Sequence, residues 1–269
     1  TVGVITAASL ADSACIRCGR CVDVCPTGAV YLKEHKDELP YYAHQRGTKT
    51  AALVDESVLP ELSRLYGCGI TLGQLCAALR KIGVDAVFDA AELTPLLAAE
   101  AADMLSKREG GTALFSVDPA AKSFLEQACA DRSADFLFVE SPQRRFAALT
   151  AGRFDKVFRI SGHNAWAEEV KASGCADVFY NARELFRICK RTGANPTRLA
   201  EAPLDRLGVE ASDTPYDALL RDDRWQLGGK AEAVSISAGE KALQALICRN
   251  PVQLKAALDA KADVIKLNV

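Results

Sequence analysis

The sequence predicts an α/β protein: a small cysteine-rich module followed by a two-lobed α/β domain built on parallel sheets. Three observations carry this. From Thr50 onward, short β-rich runs alternate with helix-length amphipathic segments, the pattern of parallel strands joined by crossover helices. Two of these runs end in Asp-Pro or Ser-Pro, a helix cap followed by a first-turn proline. The first 48 residues break the alternation with four closely spaced cysteines and a polar stretch, which sets the expected domains at 1–48 and 49–269.

Taken in order, the first expected strand is the apolar run at residues 2–6, ahead of the cysteines. Further strands are expected at 51–54, 86–88, 113–117, 136–139, 157–160, 178–180, 234–237 and 264–267, all short and rich in apolar side chains. Between them, residues 71–82 place Leu72, Leu75, Cys76 and Leu79 on one helical face, and 92–108 continue an Ala/Leu-rich helical period. Asp118-Pro119 and Ser141-Pro142 mark the starts of the next two helices. Residues 202–229, with Pro203, Pro215 and Gly228-Gly229, are irregular and are expected to connect the two lobes.

Composition removes several function classes. The chain is 49% hydrophobic and 25% charged with a net charge of -2, as ordinary globular proteins are. No basic run interleaved with aromatics is present to track phosphates, so no nucleic-acid partner is expected. The longest apolar runs are strand-sized, well short of the ~20 residues of a membrane span. A secretory leader is not evident either, so no membrane span and a cytoplasmic location are expected. Ten cysteines, four clustered and six scattered singly, fit a reducing compartment better than a disulfide framework. A first residue Thr1 and a last residue Val269 closing a strand-like run are what a processed or cut chain gives.

Cys15, Cys18, Cys21 and Cys25, with Pro26, carry the spacing C-x2-C-x2-C-x3-C-P of bacterial ferredoxins. Three thiolates at this interval curl the backbone round one corner of an iron–sulfur cubane, and Gly19 lets backbone N–H groups approach the sulfurs. One [4Fe-4S] cluster is expected, with these four cysteines as its metal-binding residues, and the module is read as ferredoxin-like. The continuation Thr27-Gly28-Ala29-Val30 agrees with this. Zinc is the rival, although zinc sites usually pair two separated C-x2-C units. In two-cluster ferredoxins the fourth cysteine of such a run serves the other cluster. Only one run is present here, so Cys25, Cys68, Cys76, a partner's thiol and a missing N-terminal segment all stay open as the source of the fourth ligand. Cys68 lies between Gly67 and Gly69, whereas Cys76, Cys129, Cys175, Cys189 and Cys248 sit mostly in helix-like contexts where burial is the default. His35, His44 and His163 stand apart from one another and suit structural or solvated roles.

The segment 71–89, TLGQLCAALRKIGVDAVFD, resembles the iron-only hydrogenases just after their second ferredoxin-type run. Glu92-Leu93-Thr94, Phe115-Ser116-Val117-Asp118-Pro119, Glu140-Ser141-Pro142-Gln143, Ala182-Arg183-Glu184-Leu185 and residues 263–269 follow in that family's order. The resemblance covers most of the chain and implies a two-lobed domain like the hydrogenase large subunit.

The departures bear on function. Where the family has a ligand cysteine and a proton-relay cysteine before the first motif's proline, this chain has Val117 and Asp118. Where the second motif has a ligand cysteine and a lysine, it has Val139 and Glu140, and Leu97 and Ala98 align with the family's paired glutamates. The third motif would begin about where the sequence ends, and a region before the last strands is shortened. Valine neither ligates iron nor carries a proton, so no H-cluster is expected and active hydrogen turnover is not. The expectation is a [4Fe-4S] protein for electron transfer or redox sensing, working with a redox protein partner or within a larger complex. The alternative is a redox enzyme using the remodelled pocket for another substrate or cofactor. Asp118 and Glu140 would suit acid–base chemistry or a hard metal there, but helix capping and the helix dipole account for both.

Overall fold

A computed structural model describes residues 13–27, 29–32, 35–209, 217–220, 230–238 and 241–267. The strand expected at 2–6, and much of the irregular stretch 202–229, lie outside the described residues. Helices α1 (Arg20–Asp23) and α2 (Glu38–His44) precede strand β1 (Thr50–Val54), and α3 (Leu59–Tyr66), α4 (Leu72–Ile82) and β2 (Ala86–Asp89) follow it. Next come α5 (Thr94–Ser106), β3 (Ala113–Ser116), α6 (Pro119–Ala128), β4 (Phe136–Phe138) and α7 (Pro142–Leu149). The chain continues through β5 (Lys156–Ile160), α8 (Trp166–Ser173), β6 (Val178–Tyr180) and α9 (Ala182–Thr192). It closes with α10 (Asp217–Leu220), β7 (Glu232–Ala238), β8 (Lys241–Cys248), α11 (Pro251–Asp259) and β9 (Val264–Leu267). These elements fall into two compact units, and among the described residues no helix is long and apolar enough to cross a membrane.

The first unit comprises Gly19–Pro95 and Ser141–Ala211. Its sheet has the order β2-β1-β5-β6, with every pairing parallel. Every residue of β1 is buried, as a strand covered on both faces requires. Helices α4 and α9 bury Leu75, Cys76, Leu79, Leu185, Ile188 and Cys189 against Phe158, Ile160 and Tyr180. The start of α4 is fixed by a reciprocal cap: Thr71 Oγ1 accepts from the Gln74 N–H at 3.2 Å, and Gln74 Oε1 accepts from the Thr71 N–H at 3.1 Å. Gly83 in the left-handed region stops the helix.

The expected boundary between residues 48 and 49 falls inside this unit. Leu39 of α2 joins the same core, and the buried Tyr180 hydroxyl ties the segment down. That hydroxyl donates to the His35 carbonyl and accepts from the Leu39 N–H, both at 2.9 Å. A segment with few apolar residues of its own gains its buried contacts from the larger sheet.

The second unit comprises Thr1–Cys18, Leu96–Glu140 and Ser212–Val269. Its strands run in the order β4-β3-β9-β8-β7, parallel except for the antiparallel pair β7–β8. β8 was not among the expected strands. Its sequence KALQALIC is made largely of helix formers, and only pairing on both sides makes it a strand. The core packs Leu97, Ala98, Ala101 and Leu105 of α5 against Ala113, Phe115, Leu137 and Val264.

Candidate metal centre

The cysteine loop has two residues in the left-handed region, Arg17 (φ 58°) and Gly19 (φ 72°). For Arg17 this is an uncommon backbone for a residue with a side chain. Gly19 opens α1, which carries Cys21, and Cys25 follows that helix. The Cys15 N–H donates to Ser13 Oγ at 3.3 Å. Cys21 is exposed, and Cys15, Cys18 and Cys25 are half-buried. Cys25 Sγ accepts from the Val30 N–H at 3.4 Å and lies 3.6 Å from Thr27 Oγ1. These hydrogen bonds, the Val30 backbone first, bring its pKa down to about 7 from an ordinary 9.0.

Among the described residues, no three Cys, His, Asp or Glu side chains converge as a preformed metal site. Four cysteines within eleven residues, left-handed backbone at Arg17 and Gly19 and a backbone N–H aimed at the Cys25 sulfur are what a soft iron–sulfur cluster takes. Cys25 also lines an open cavity of about 480 Å³ with Thr27, Glu61, Arg64, Leu65 and Arg183.

The other candidate thiols differ. Cys68 is exposed, just past Gly67 at the end of α3, with its N–H on the Ser63 carbonyl at 3.2 Å. Cys76 is buried in the first unit's core, and its thiol donates to the Pro203 carbonyl at 3.4 Å. Burial pushes the Cys189 and Cys248 thiols up to about 12, which makes them structural. His35, just ahead of α2, bonds Glu38 through Nδ1, and His44 Nδ1 bonds the Pro40 carbonyl within that helix, both local contacts.

The sequence reading missed a polar constellation at the C-terminal edge of the first unit's sheet, where α/β proteins commonly place sites. Arg159 is fully buried in β5. Its Nη2 donates to Asp55 Oδ2 at 2.9 Å, and its Nη1 donates to the Leu53 and Ile160 carbonyls, both at 3.2 Å. Burial alone would raise the Asp55 carboxyl, but Arg159, the Ser57 hydrogen bonds and His163 together hold it below the usual range. Gly162 comes so close to Ser57 that an added Cβ would lie 2.1 Å from its carbonyl oxygen. Asn181 caps α9 through its Oδ1 and donates from Nδ2 to Asn164 Oδ1 at 3.2 Å. A charged residue interrupting the apolar run 157–160 was the available signal.

In the second unit, Val117 and Val139 belong to one buried cluster with Leu97 and Ala98. Those are the four positions at which the family resemblance would place two ligands and two relay carboxylates. Asp118 is the cap of α6, its Oδ1 accepting from the Ala120 N–H at 2.9 Å. Glu140 donates its own N–H to Glu100 Oε1 at 3.2 Å, and Lys122 Nζ closes on the Val139 carbonyl at 2.9 Å.

Comparison with known proteins agrees with this architecture. Residues 11–31 match the 4Fe-4S binding domain, and residues 51–245 match the iron only hydrogenase large subunit, C-terminal domain. The chain is 29% identical over 239 residues to the NADP-reducing hydrogenase subunit HndD of Solidesulfovibrio fructosivorans, covering 77% of this chain and 41% of that protein. It thus spans about two fifths of the length of that curated relative. An [FeFe]-hydrogenase structure from a study of oxygen inactivation superposes with a TM-score of 0.72 at 16% identity, covering 88% of this chain and 82% of the other. A variant of the [FeFe]-hydrogenase HydA1 from Chlamydomonas reinhardtii gives 0.71 at 17% identity, with the same coverage, so both share the fold. With its family-model match spanning most of its length, the chain belongs to the iron-only hydrogenase large subunit family and carries a 4Fe-4S binding segment ahead of that domain.

Proposed function

We propose that this chain is an electron-transfer or redox-sensing component that holds one [4Fe-4S] cluster on Cys15, Cys18, Cys21 and Cys25 and does not turn over hydrogen. The observation that carries the reading is a contrast. The cysteine run is complete, while Val117, Val139, Leu97 and Ala98 pack together as hydrophobic core. A packed core holds no iron and relays no proton. The same packing argues against a remodelled substrate pocket at these positions.

When bound, the cluster supplies a one-electron couple. The protein's part is to hold it: thiolates ligate, and the Val30 N–H and Thr27 hydroxyl spread the negative charge on the Cys25 sulfur. A redox partner or a larger complex follows from the likeness to a protein named as a hydrogenase subunit. A cytoplasmic location suits cysteines that form no disulfides among the described residues.

Anaerobic reconstitution with iron and sulfide tests the proposal. About four irons per chain, the stoichiometry of a cubane, and a reducible paramagnetic signal are expected, with no hydrogen evolved from reduced mediator. A colourless zinc protein would sink the cluster reading, and hydrogen evolution would sink the reading of the second unit.

A further inference from the structure

Gly19, between Cys18 and Cys21, packs directly on the loop that follows β5. An ideal Cβ placed on Gly19 would lie 2.2 Å from Asn164 Cβ and 3.2 Å from Asn164 Nδ2. Real Cβ atoms do not approach so closely, so the contact admits only glycine. Asn164 is itself fixed: it is buried, and its Oδ1 accepts from Asn181 Nδ2, whose own residue caps α9. Leu32, beyond the last cysteine, packs on the same side of the unit, against the cluster of Trp166, Val170 and Phe179. The loop segment carrying Cys21 and Cys25 is therefore fastened to the ends of β5 and β6 rather than hanging as a separate module.

We infer that Asn164, held by Asn181, is a positioning residue for the iron–sulfur cluster. It sets where the Gly19 turn lies and hence the placement of the ligand that follows. This rests on the proposed cluster reading. Position matters to function because hydrogen bonding and solvent exposure around the sulfurs set a cluster's potential. A buried side chain against the Gly19 turn bears on where the loop holds those sulfurs.

The test is a cycle of Gly19→Ala, Asn164→Gly and the double variant, each reconstituted anaerobically beside the wild type. Gly19→Ala should lose iron severalfold. The double variant should recover a clear part of it, because Asn164→Gly removes the atom that the new methyl strikes while the strain of alanine at φ 72° stays. A double variant as empty as Gly19→Ala, or a Gly19→Ala that loads normally, would overturn the inference. Asn164→Ala keeps the Cβ and deletes the amide. It should load iron but shift the midpoint potential and the paramagnetic spectrum, whereas Asn195→Ala, a cap elsewhere in the unit, should not. An unshifted Asn164→Ala would also overturn it. A wild type that takes up no iron tells against the cluster reading instead. In that event the same cycle read by Tm on the metal-free chain still reports whether the two residues couple.

Discussion

Val117, just past β3, and Val139, just past β4, are buried in the same apolar cluster at the ends of neighbouring parallel strands. If both are core residues, truncation should act through packing. Val139→Ala removes two buried methyl groups and should cost about 2–3 kcal/mol in chemical denaturation. Val139→Cys and Val117→Cys are closer in volume and should each cost about 1 kcal/mol or less. Neither cysteine variant should evolve hydrogen in an anaerobic assay. Free tolerance of alanine at both positions would mean an open pocket.

The pair Arg159–Asp55 gives a prediction with a sign. Asp55 titrates below its ordinary value in the folded chain, so its contribution is present above the unfolded carboxyl's pKa and is lost as pH falls through the folded value. Stability should therefore decline below about pH 4, the ordinary aspartate range. Asp55→Asn should flatten that acid limb. At neutral pH it should cost about 3–5 kcal/mol, because the buried Arg159 guanidinium loses its counter-charge. Urea titrations at pH 7 and pH 3 on both proteins measure it.

Tyr180 anchors the segment after the cysteine loop. Tyr180→Phe leaves the Leu39 N–H and the His35 carbonyl without their shared partner and should cost about 1–3 kcal/mol. Hydrogen exchange should then speed up across α2 while β1 and β5 stay protected. Equal acceleration in the sheet would mean that the segment is not separately tethered.

Much of this was legible in the sequence. The strands at 178–180 and 264–267 fall where their apolar runs lie, and Asp118 and Ser141 cap helices through side-chain oxygens, as local chemistry dictates. The cysteine spacing is local as well. What could not be read depends on contacts distant in sequence. β8 is a strand because β7 and β9 flank it. Tyr180 reaches back 145 residues to the His35 carbonyl, a tie that no local pattern announces. The Arg159–Asp55 pair spans 104 residues, and the closeness of Gly19 to Asn164 is set by the fold, leaving no spacing to recognise.

The fourth ligand is open to a direct comparison of three alanine variants. Cys25 has an N–H already pointed at its sulfur, half-buried beside an open cavity, the setting in which a thiolate forms readily. Cys76 is buried with its thiol on a backbone carbonyl, and burial raises its pKa, so using it would mean opening the core. Cys68 is exposed but lies past α3, with no hydrogen-bond donor seen on its sulfur among the described residues. Cys25→Ala should thus lose one iron or the whole cluster, with a change in the paramagnetic spectrum. Cys68→Ala and Cys76→Ala should keep wild-type iron and spectrum, although Cys76→Ala should lower the Tm by removing a core side chain. If Cys68→Ala gave the altered spectrum instead, the closing thiol would be the one after α3.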